Sequence, residues 1–264
     1  MEPSFLQTIF RRHQNCPAFP TQADVYQFID ELIGTLFPAM STHTFDSYEA
    51  LEFHLLNLRE ELYEMLFMPP NRGSIGSENK ADAFFQSIPE IYDLLNKDVD
   101  AIYRGDPAAT SRVEVVRSYP GFYAIACYRF AHRLFELGIQ IIPRMITEYA
   151  KSKTGIEIHP GAQIGSSFCI DHGTGVVIGA TSVIGNNVKI YQGVTLGALS
   201  VRKEDAELKR HPTIEDNVVI YAGATILGGR TVVGKGSVIG GNVWVTNSLT
   251  PGSKMYYHAS HSHD

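Results

Sequence analysis

An aliphatic residue recurs at every sixth position through most of the second half of the sequence. The series is Ile158, Ile164, Ile170, then Ile178, Ile184, Ile190 and Leu196, and after a gap Ile214, Ile220, Ile226 and Val232. A period of six matches neither the period of an α-helix nor the two-residue alternation of a single strand. It is typical of a parallel β-helix, in which three hexads form a triangular coil and stacked coils bury a shared aliphatic ladder.

The sequence before the repeat has the apolar spacing of α-helices. Thr21 is a predicted N-cap with Asp24 as its capping-box partner, and the helix that follows ends before Pro38. Further helices are predicted over about 47–67, 81–103, 120–138 and 141–152. We therefore predict an α+β protein, with an α-helical domain over 1–152, a β-helical domain over 153–248 and a tail over 249–264.

The composition argues against nucleic acid and anionic membranes as binding partners. The chain has 264 residues, 44% of them hydrophobic and 19% charged, with a net charge of −6. Such a chain is globular and has no basic surface for nucleic acid or for an anionic membrane. The three cysteines are too few and too scattered for a disulfide framework or a zinc cluster, and they indicate a reducing compartment. Because no stretch has the pattern of a signal peptide or a transmembrane helix, we expect a cytoplasmic protein.

The first departure from the repeat is the segment Asp171-His172-Gly173-Thr174-Gly175. It lengthens the step from Ile170 to Ile178 to eight residues, so the coil must bulge there, and the glycines permit an unusual backbone. His172 is a candidate general base, because imidazole titrates near neutral pH. The alternative is a histidine at the edge of a coil, bonded to a carbonyl group.

Two further departures follow along the chain. The repeat stops after Leu199 for a charged loop and resumes after Arg210-His211-Pro212, where a guanidinium is suited to a bidentate pair with a carboxylate. A single extra residue near Gly229 then shifts the ladder from Val232 to Val233. The glycines around this slip would leave the outer wall without side chains, and a slender ligand could lie against it.

Several motifs together resemble the serine O-acetyltransferases, a family of the hexapeptide-repeat acyltransferase superfamily. They are IDHGTG, RHPTI, the upstream GDPAA and IEIHPGAQIG, and the resemblance covers about residues 88–244. It implies a left-handed β-helix, trimers with active sites between neighbouring subunits, and often a hexamer joined through the helical domain. It also implies transfer of acetyl from acetyl-CoA to the hydroxyl of L-serine, the first step of cysteine biosynthesis from serine.

The resemblance assigns roles to residues of this chain. It makes His172 the general base, Glu157 its orienting carboxylate and His211 a second histidine of the catalytic and substrate site. It assigns the serine amino group to Asp106 and Asp171. The substrate-binding set is completed by Arg210 for the serine carboxylate, and the acetyl-CoA site by Thr195, Gly197, Ala222, Gly223, Gly240 and Gly241. Direct transfer of this kind requires no metal, and a positioned base is needed because a serine hydroxyl is a poor nucleophile.

The resemblance also concerns partners. L-Cysteine is expected to inhibit by competing at the serine site. The chain has Glu157 where the family usually has Asp, and it ends in HASHSHD. Family tails that dock into the O-acetylserine sulfhydrylase end in isoleucine, so that complex is not expected here.

Three alternatives remain open. One is a hexapeptide acetyltransferase with another acceptor, although a neutral sugar does not need three charged partners. Another is a γ-type carbonic anhydrase, which requires three histidines on one zinc; His159, His172 and His211 lack the close pair of that class. The third is a trimeric scaffold without catalytic activity.

Overall fold

The computed structural model describes residues 1–71, 77–199 and 208–256 of the chain. Helices come first and short parallel strands follow, which confirms the predicted α+β order. The helices are α1 (Pro3–Asn15), α2 (Gln22–Leu36), α3 (Tyr48–Phe67), α4 (Ser77–Gln86), α5 (Ile88–Gly105), α6 (Arg112–Ser118), α7 (Pro120–Glu136) and α8 (Ile142–Thr154), with a 3-10 turn at Pro38–Met40. Within these ranges, no helix is long and apolar enough to cross a membrane. The end of the predicted tail (257–264) and the centre of the charged loop (200–207) lie outside the described residues.

Local hydrogen bonds define the starts of α2 and α3. The Thr21 side chain accepts a bond from the Asp24 backbone N–H, and the Asp24 carboxylate accepts one from the Thr21 backbone N–H. This is the predicted capping box, which satisfies two N–H groups that the helix itself leaves without partners. Ser47 caps α3 in the same way through the N–H of Ala50. Both predicted helix starts are confirmed.

The prediction of one continuous helix over 81–103 is wrong. The chain forms two helices there, α4 and α5, which are separated at Ser87. Pro89 lies in the first turn of α5, where its missing N–H removes no bond; inside one long helix it would remove a bond and clash with the preceding turn. The apolar spacing does not predict α1 or α6, because α1 buries no residue and α6 buries only Val115 and Val116.

The strands form three parallel sheets, one on each face of a triangular prism. They are β1 (Glu157–Ile158), β2 (Gln163–Ile164), β3 (Cys169–Asp171), β4 (Val177–Ile178), β5 (Val183–Ile184), β6 (Lys189–Tyr191), β7 (Thr195–Gly197), β8 (Thr213–Ile214), β9 (Val219–Ile220), β10 (Thr225–Leu227), β11 (Val232–Val233), β12 (Val238–Ile239), β13 (Trp244–Val245) and β14 (Lys254–Met255). Sheet A is β1-β4-β7-β10-β13, sheet B is β2-β5-β8-β11 and sheet C is β3-β6-β9-β12-β14. The result is a left-handed parallel β-helix of about 5 turns, as predicted.

The strand register locates each departure from a regular coil of eighteen residues. Ile158 pairs with Ile178 across twenty residues, since this coil contains the two extra residues of the bulge. Leu196 pairs with Ile226 across thirty residues, so this interval holds twelve residues more than a regular coil. Val233 follows its partner in β8 by nineteen residues and is fully buried, so the predicted one-residue slip is confirmed.

The last coil extends further than the sequence indicates. β14 pairs with β12, with Met255 opposite Ile239, although this strand lies in the range assigned to the tail. Ten residues separate Val245 from Met255, so a count of six does not reach it. The solenoid therefore continues past residue 248.

The interior of the prism is filled by two residues from each hexad. These are the aliphatic residue of the strand and the residue two positions before it, as in the pair Val188 and Ile190, both without exposed surface. Strands of two or three residues form few hydrogen bonds each. The stack is therefore stabilised mainly by apolar area that neighbouring coils bury together.

A buried ion pair joins the helices to the first coil. Arg129 on α7 contacts Asp98 on α5 through Nε at 2.5 Å and Nη2 at 2.9 Å, and both side chains are almost fully buried. Asp98 Oδ1 also accepts the backbone N–H of Phe168 at 2.9 Å, and Arg129 Nη2 donates to the Gly165 carbonyl at 2.8 Å. The pair therefore fixes the turn that precedes β3. Nearby, Gly121 allows α7 to approach Ile170, because a Cβ there would overlap the Ile170 carbonyl.

We expect Arg129→Met to lower the free energy of unfolding by about 3–5 kcal/mol, because it leaves the Asp98 carboxylate buried without its cation. Urea unfolding measures the change. Arg112→Met is the matched control: Arg112 pairs with Asp100 at 3.2 Å on the surface, and its loss should cost less than about 1 kcal/mol. Equal losses for the two variants would contradict the role given to the buried pair.

Candidate active site

The bulge after β3 presents His172 to solvent. His172 has a φ of 58°, and Gly173 and Gly175 have φ of 82° and 79°, so the turn follows the left-handed region. This region is uncommon for residues with a side chain, and the two glycines adopt it without steric cost. The turn carries the chain from sheet C to sheet A, and the His172 side chain is 71% exposed. The predicted bulge is present, and it directs an imidazole outward at a corner of the prism.

Asp171 lies under this histidine and is almost buried. Its Oδ2 is 2.8 Å from the Lys189 ammonium, and its Oδ1 is 3.7 Å from Nε2 of His172. Lys189 lies on β6, in the next coil, and its side chain is 17% exposed. The carboxylate is therefore held by a cation on one oxygen and faces the imidazole with the other.

Asp106 reaches the same corner from the helical domain. It follows the end of α5, where its Oδ1 accepts the Ala108 N–H at 2.8 Å and its Oδ2 accepts the Tyr119 hydroxyl at 2.6 Å. The bond from Tyr119 is the main reason that the pKa of Asp106 is lowered, followed by the Ala108 N–H and the charges of Lys189 and His172. Asp106 is thus an ionised carboxylate beside Asp171 and His172. The same bond raises the pKa of Tyr119 to about 12.

Arg210 and His211 lie at a different corner, where the chain rejoins the prism before β8. Thr181 fixes both residues: its hydroxyl oxygen accepts the backbone N–H of Arg210 at 3.0 Å and that of His211 at 3.1 Å. The Thr181 N–H in turn donates to Nδ1 of His211 at 3.1 Å. The ring of His211 lies over Gly179, where any side chain would overlap it.

Two histidines at this corner are held neutral. Burial is the first cause that lowers the pKa of His211 to about 4, followed by the charges of Arg210 and Lys209. Burial and the charges of Arg144 and Arg210 lower the pKa of His159 to about 4 as well. Nδ1 of each ring accepts a backbone N–H, so each neutral ring carries its proton on Nε2. His211 is therefore a hydrogen-bond donor rather than a cation near neutral pH.

Glu157 does not reach His172 within one chain. Its carboxylate is bonded instead to Lys151 at 2.5 Å and to Arg144 at 3.3 Å. Burial would raise the pKa of Glu157, but the bonds from these two cations lower it. Its register partner is Val177, beyond the bulge. Within the described chain the imidazole of His172 faces Asp171 instead. A pairing of Glu157 with His172 of a neighbouring subunit stays a prediction.

The predicted residues therefore form two groups at two corners. Asp106, Asp171 and His172 meet at the corner between sheets C and A, whereas Arg210 and His211 lie at the corner between sheets A and B. One face of the prism separates them, a path of five or six residues or roughly 15–20 Å at about 3.3 Å per residue. Side chains of one chain cannot bridge that distance. The same separation keeps His172 away from His159 and His211, so the three histidines do not converge on one point.

The residues predicted for acetyl-CoA lie on sheet A and at its corner with sheet C. Thr195 and Gly197 are on β7, and the other four residues are in the turns Ala222-Gly223 and Gly240-Gly241. Beneath Gly223, a column of glycines leads to the bulge: a Cβ on Gly175 would be 3.6 Å from the Gly193 Cα, and one on Gly193 would be 3.4 Å from the Gly223 Cα. This strip of bare backbone begins beside His172.

A second groove lies at the corner of Arg210 and His211. It has a volume of about 410 Å³ and is lined by residues that include Gly228, Gly229, Arg230, Lys209 and Asn247. The one-residue slip lies in this lining. The two basic side chains were outside the predicted set, because the slip was evident from the sequence but its neighbours in the adjacent coils were not.

Three residues that complete the site were not predicted: Lys189, Tyr119 and Thr181. A signal existed for Lys189, since Cys169 pairs with Lys189 and Asp171 with Tyr191 in register. Adding the two residues of the bulge to the coil length would have placed this lysine diagonally across from Asp171. Tyr119 and Thr181 had no such signal, because their partners are distant in sequence.

We expect stability to rise with pH between about 4 and 6.5. In this interval the unfolded chain binds protons at His159 and His211 that the folded chain does not, because both folded-state pKa values are lowered to about 4. His159→Asn keeps an acceptor for the Gly161 N–H and should reduce the slope by up to about 1.4 kcal/mol per pH unit. Urea unfolding at a series of pH values measures it. Above pH 7 the variant's slope should match the unsubstituted chain, and an unchanged slope near pH 5 would contradict the assignment.

Known proteins with similar sequences are serine acetyltransferases. No family model matches the sequence. The chain is 58% identical over 176 residues to a plasmid-encoded serine acetyltransferase of Synechococcus elongatus, covering 65% of this chain and 55% of that protein. It thus spans little more than half the length of that relative. It is 46% identical over 159 residues to the serine acetyltransferase of Helicobacter pylori, covering 60% of this chain and 90% of that protein.

Solved structures give the same result. Serine acetyltransferase 1 of Entamoeba histolytica, in complex with L-cysteine, superimposes with a TM-score of 0.80 at 35% identity and covers 87% of this chain and 86% of that one. A serine acetyltransferase in complex with CoA gives a TM-score of 0.60 at 30% identity and covers 89% of this chain and 97% of that one.

Proposed function

Because the chain belongs to the serine acetyltransferase family, we propose that it transfers acetyl from acetyl-CoA to the hydroxyl of L-serine, giving O-acetyl-L-serine and CoA. The observation that carries the proposal is the meeting of Asp106, Asp171 and His172 at one corner of the prism. Two carboxylates suit an α-ammonium group, and an exposed imidazole suits a hydroxyl that must lose its proton. In this role the protein performs the first step of cysteine biosynthesis from serine.

The chemistry follows from the position of His172. The imidazole accepts the hydroxyl proton of serine as the oxygen attacks the thioester carbonyl, so that a C–O bond forms. Collapse of the tetrahedral intermediate breaks the C–S bond, and the departing CoA sulfur takes the proton back from the imidazolium. Asp171, 3.7 Å from Nε2, is placed to stabilise the imidazolium and takes the orienting role expected of Glu157.

The other corner supplies the remaining contacts. The serine carboxylate needs a cation, and the guanidinium of Arg210 matches it in a bidentate pair. His211, neutral and protonated on Nε2, donates to an oxygen of the substrate. Since one chain cannot bring this corner to His172, the site is formed by two neighbouring subunits of a homotrimer. We further propose that the helical domain joins trimers into a hexamer, and that the protein acts in the cytoplasm.

Acetyl-CoA is the second substrate. The column of Gly175, Gly193 and Gly223 offers bare backbone beside His172, where the slender pantetheine arm can lie along Thr195 and the predicted turns. That a structural relative was solved in complex with CoA supports CoA as a ligand of this fold. L-Cysteine carries the same amino and carboxylate groups as L-serine, so it should compete for the same contacts, as the relative in complex with L-cysteine suggests.

The direct test is acetyl-CoA consumption with and without L-serine, and with a neutral sugar as the alternative acceptor. We expect serine-dependent turnover and inhibition by L-cysteine that is competitive with L-serine. His172→Ala should reduce turnover by about 10²–10⁴-fold, the usual contribution of a general base. His13→Ala, on the exposed helix α1, serves as the control. Equal rates without serine, or a preference for the sugar, would rule out the main proposal; near-full turnover of His172→Ala would rule out its role as base.

Mixing two inactive variants tests whether the site spans two subunits. Chains with His172→Ala and chains with Arg210→Ala are unfolded together in equal amounts and refolded. About a quarter of the interfaces should then pair an intact His172 with an intact Arg210, and activity should return to about a quarter of the unsubstituted level. Each variant refolded alone is the control. Mixtures with no more activity than the separate variants would show that both residues must come from one chain.

A further inference from the structure

Lys189 is a charged residue at the proposed site that the reaction scheme does not use. Its ammonium makes three contacts: Nζ is 2.8 Å from Asp171 Oδ2, 2.6 Å from the Gly105 carbonyl oxygen and 4.4 Å from the centre of the Tyr191 ring. An ammonium group has three donors and no acceptor, so these contacts satisfy it. Lys189 is therefore fixed in place rather than directed at solvent.

The first of these contacts determines how Asp171 is presented. A nearly buried carboxylate is costly without a partner, and Lys189 provides that partner on Oδ2. Oδ1 is left facing His172 and the space in front of it. The lysine thus leaves one oxygen of Asp171 available to a ligand and sets its direction.

The second contact links Asp171 to Asp106. Gly105 is the last residue of α5, and Asp106 follows it directly. The approach is close, since a Cβ on Gly105 would be 3.2 Å from Cys169 Sγ and 3.6 Å from Lys189 Nζ. A cation is also favourable at the C-terminal end of a helix, where carbonyl groups lack partners. Through Lys189 the turn of Asp106, from the helical domain, is tied to the coil that bears Asp171.

The charge of Lys189 offsets the repulsion between the carboxylates of Asp106 and Asp171. Two carboxylates side by side repel each other, and one of them would take up a proton. The two carboxylates and the Lys189 ammonium together have a net charge of −1, which a single α-ammonium of a ligand neutralises. Although burial alone would lower the pKa of Lys189, its bonds to Asp171 and its contact with Tyr191 raise it, so it remains charged.

We propose that Lys189 is the positioning residue of the amino-group site, holding Asp171 and the Asp106 turn at the separation that an α-ammonium group requires. This inference rests on the proposed function and adds to it a residue that determines affinity for the amino-acid substrate. Lys189 itself touches neither the reacting atoms nor the acetyl donor in this arrangement.

The test is steady-state kinetics of Lys189→Met, which removes the charge and keeps an unbranched side chain that is one atom shorter. Loss of a charged hydrogen bond at the amino-group site should raise KM for L-serine and the inhibition constant of L-cysteine by roughly ten- to a hundredfold. The KM for acetyl-CoA should change by less than about threefold, since Lys189 does not contact the acetyl donor in this arrangement.

A ligand without the amino group sharpens the test. 3-Mercaptopropanoate has the thiol and carboxylate of cysteine but no ammonium, so Lys189→Met should leave its weaker inhibition unchanged. Lys153→Met is the matched control, because Lys153 also bonds a carboxylate, Asp30 at 2.9 Å, and lies over the ring of Tyr149, but in the helical domain. That variant should retain the KM for serine.

Each outcome decides one point. A KM for serine within about twofold of the unsubstituted value would overturn the role of Lys189. Equal losses toward L-cysteine and 3-mercaptopropanoate, or a parallel rise in KM for acetyl-CoA, would also overturn it, because they would indicate a merely structural link between the domains. If the unsubstituted protein itself consumes no acetyl-CoA with serine, the proposed function fails instead.

Discussion

Closure of each coil around an aliphatic interior is the constraint on which the rest of this structure depends. Every sixth side chain must point inward, and its neighbours above and below must do the same, because the stack has no other core. A coil cannot absorb an extra residue inside the prism without losing this alignment. Extra residues are therefore placed at the corners, and the candidate site residues lie where the register departs from a regular coil: at the bulge of His172 and at Arg210 and His211 before β8.

The same geometry divides the charges of the site. The corner with His172 carries carboxylates and the corner with Arg210 carries cations and neutral imidazoles, so an amino acid with both charges matches the two together. A flat face of the prism lies between them in one chain. A closed ring of identical subunits brings unlike corners into contact, which is the head-to-tail arrangement that generates a trimer. The charge separation of the proposed amino-acid substrate thus corresponds to the symmetry of the proposed trimer.

Some elements of the structure could be predicted from the sequence and others could not. The ladder from Ile158 to Val245 was predictable because one period governs it, and Thr21 and Asp24 were predictable because a capping box is local. The prediction of one helix over 81–103 followed the apolar spacing and missed the break, which a single proline, Pro89, marks. The resemblance did not indicate that Glu157 is bonded by two cations of its own chain, because Arg144 and Lys151 lie outside the IEIHPGAQIG motif. The position of Lys189 beside Asp171 follows only from a coil of twenty residues, which includes the two residues of the bulge.

The helices that pack on the first coil have one more consequence. In each sheet the strand of that coil is an edge, paired only with the strand above it. Exposed edges of this kind are templates on which another chain can add strands, and a solenoid with an open end can stack onto its copies as a fibre. α5 and α7 lie against β3, while α7 and α8 lie against β1, with the ion pair of Asp98 and Arg129 fixing the turn between them. The helical domain therefore covers this end of the β-helix. It prevents further strands from adding to the first coil and leaves the lateral faces of the prism available for contacts within a closed oligomer.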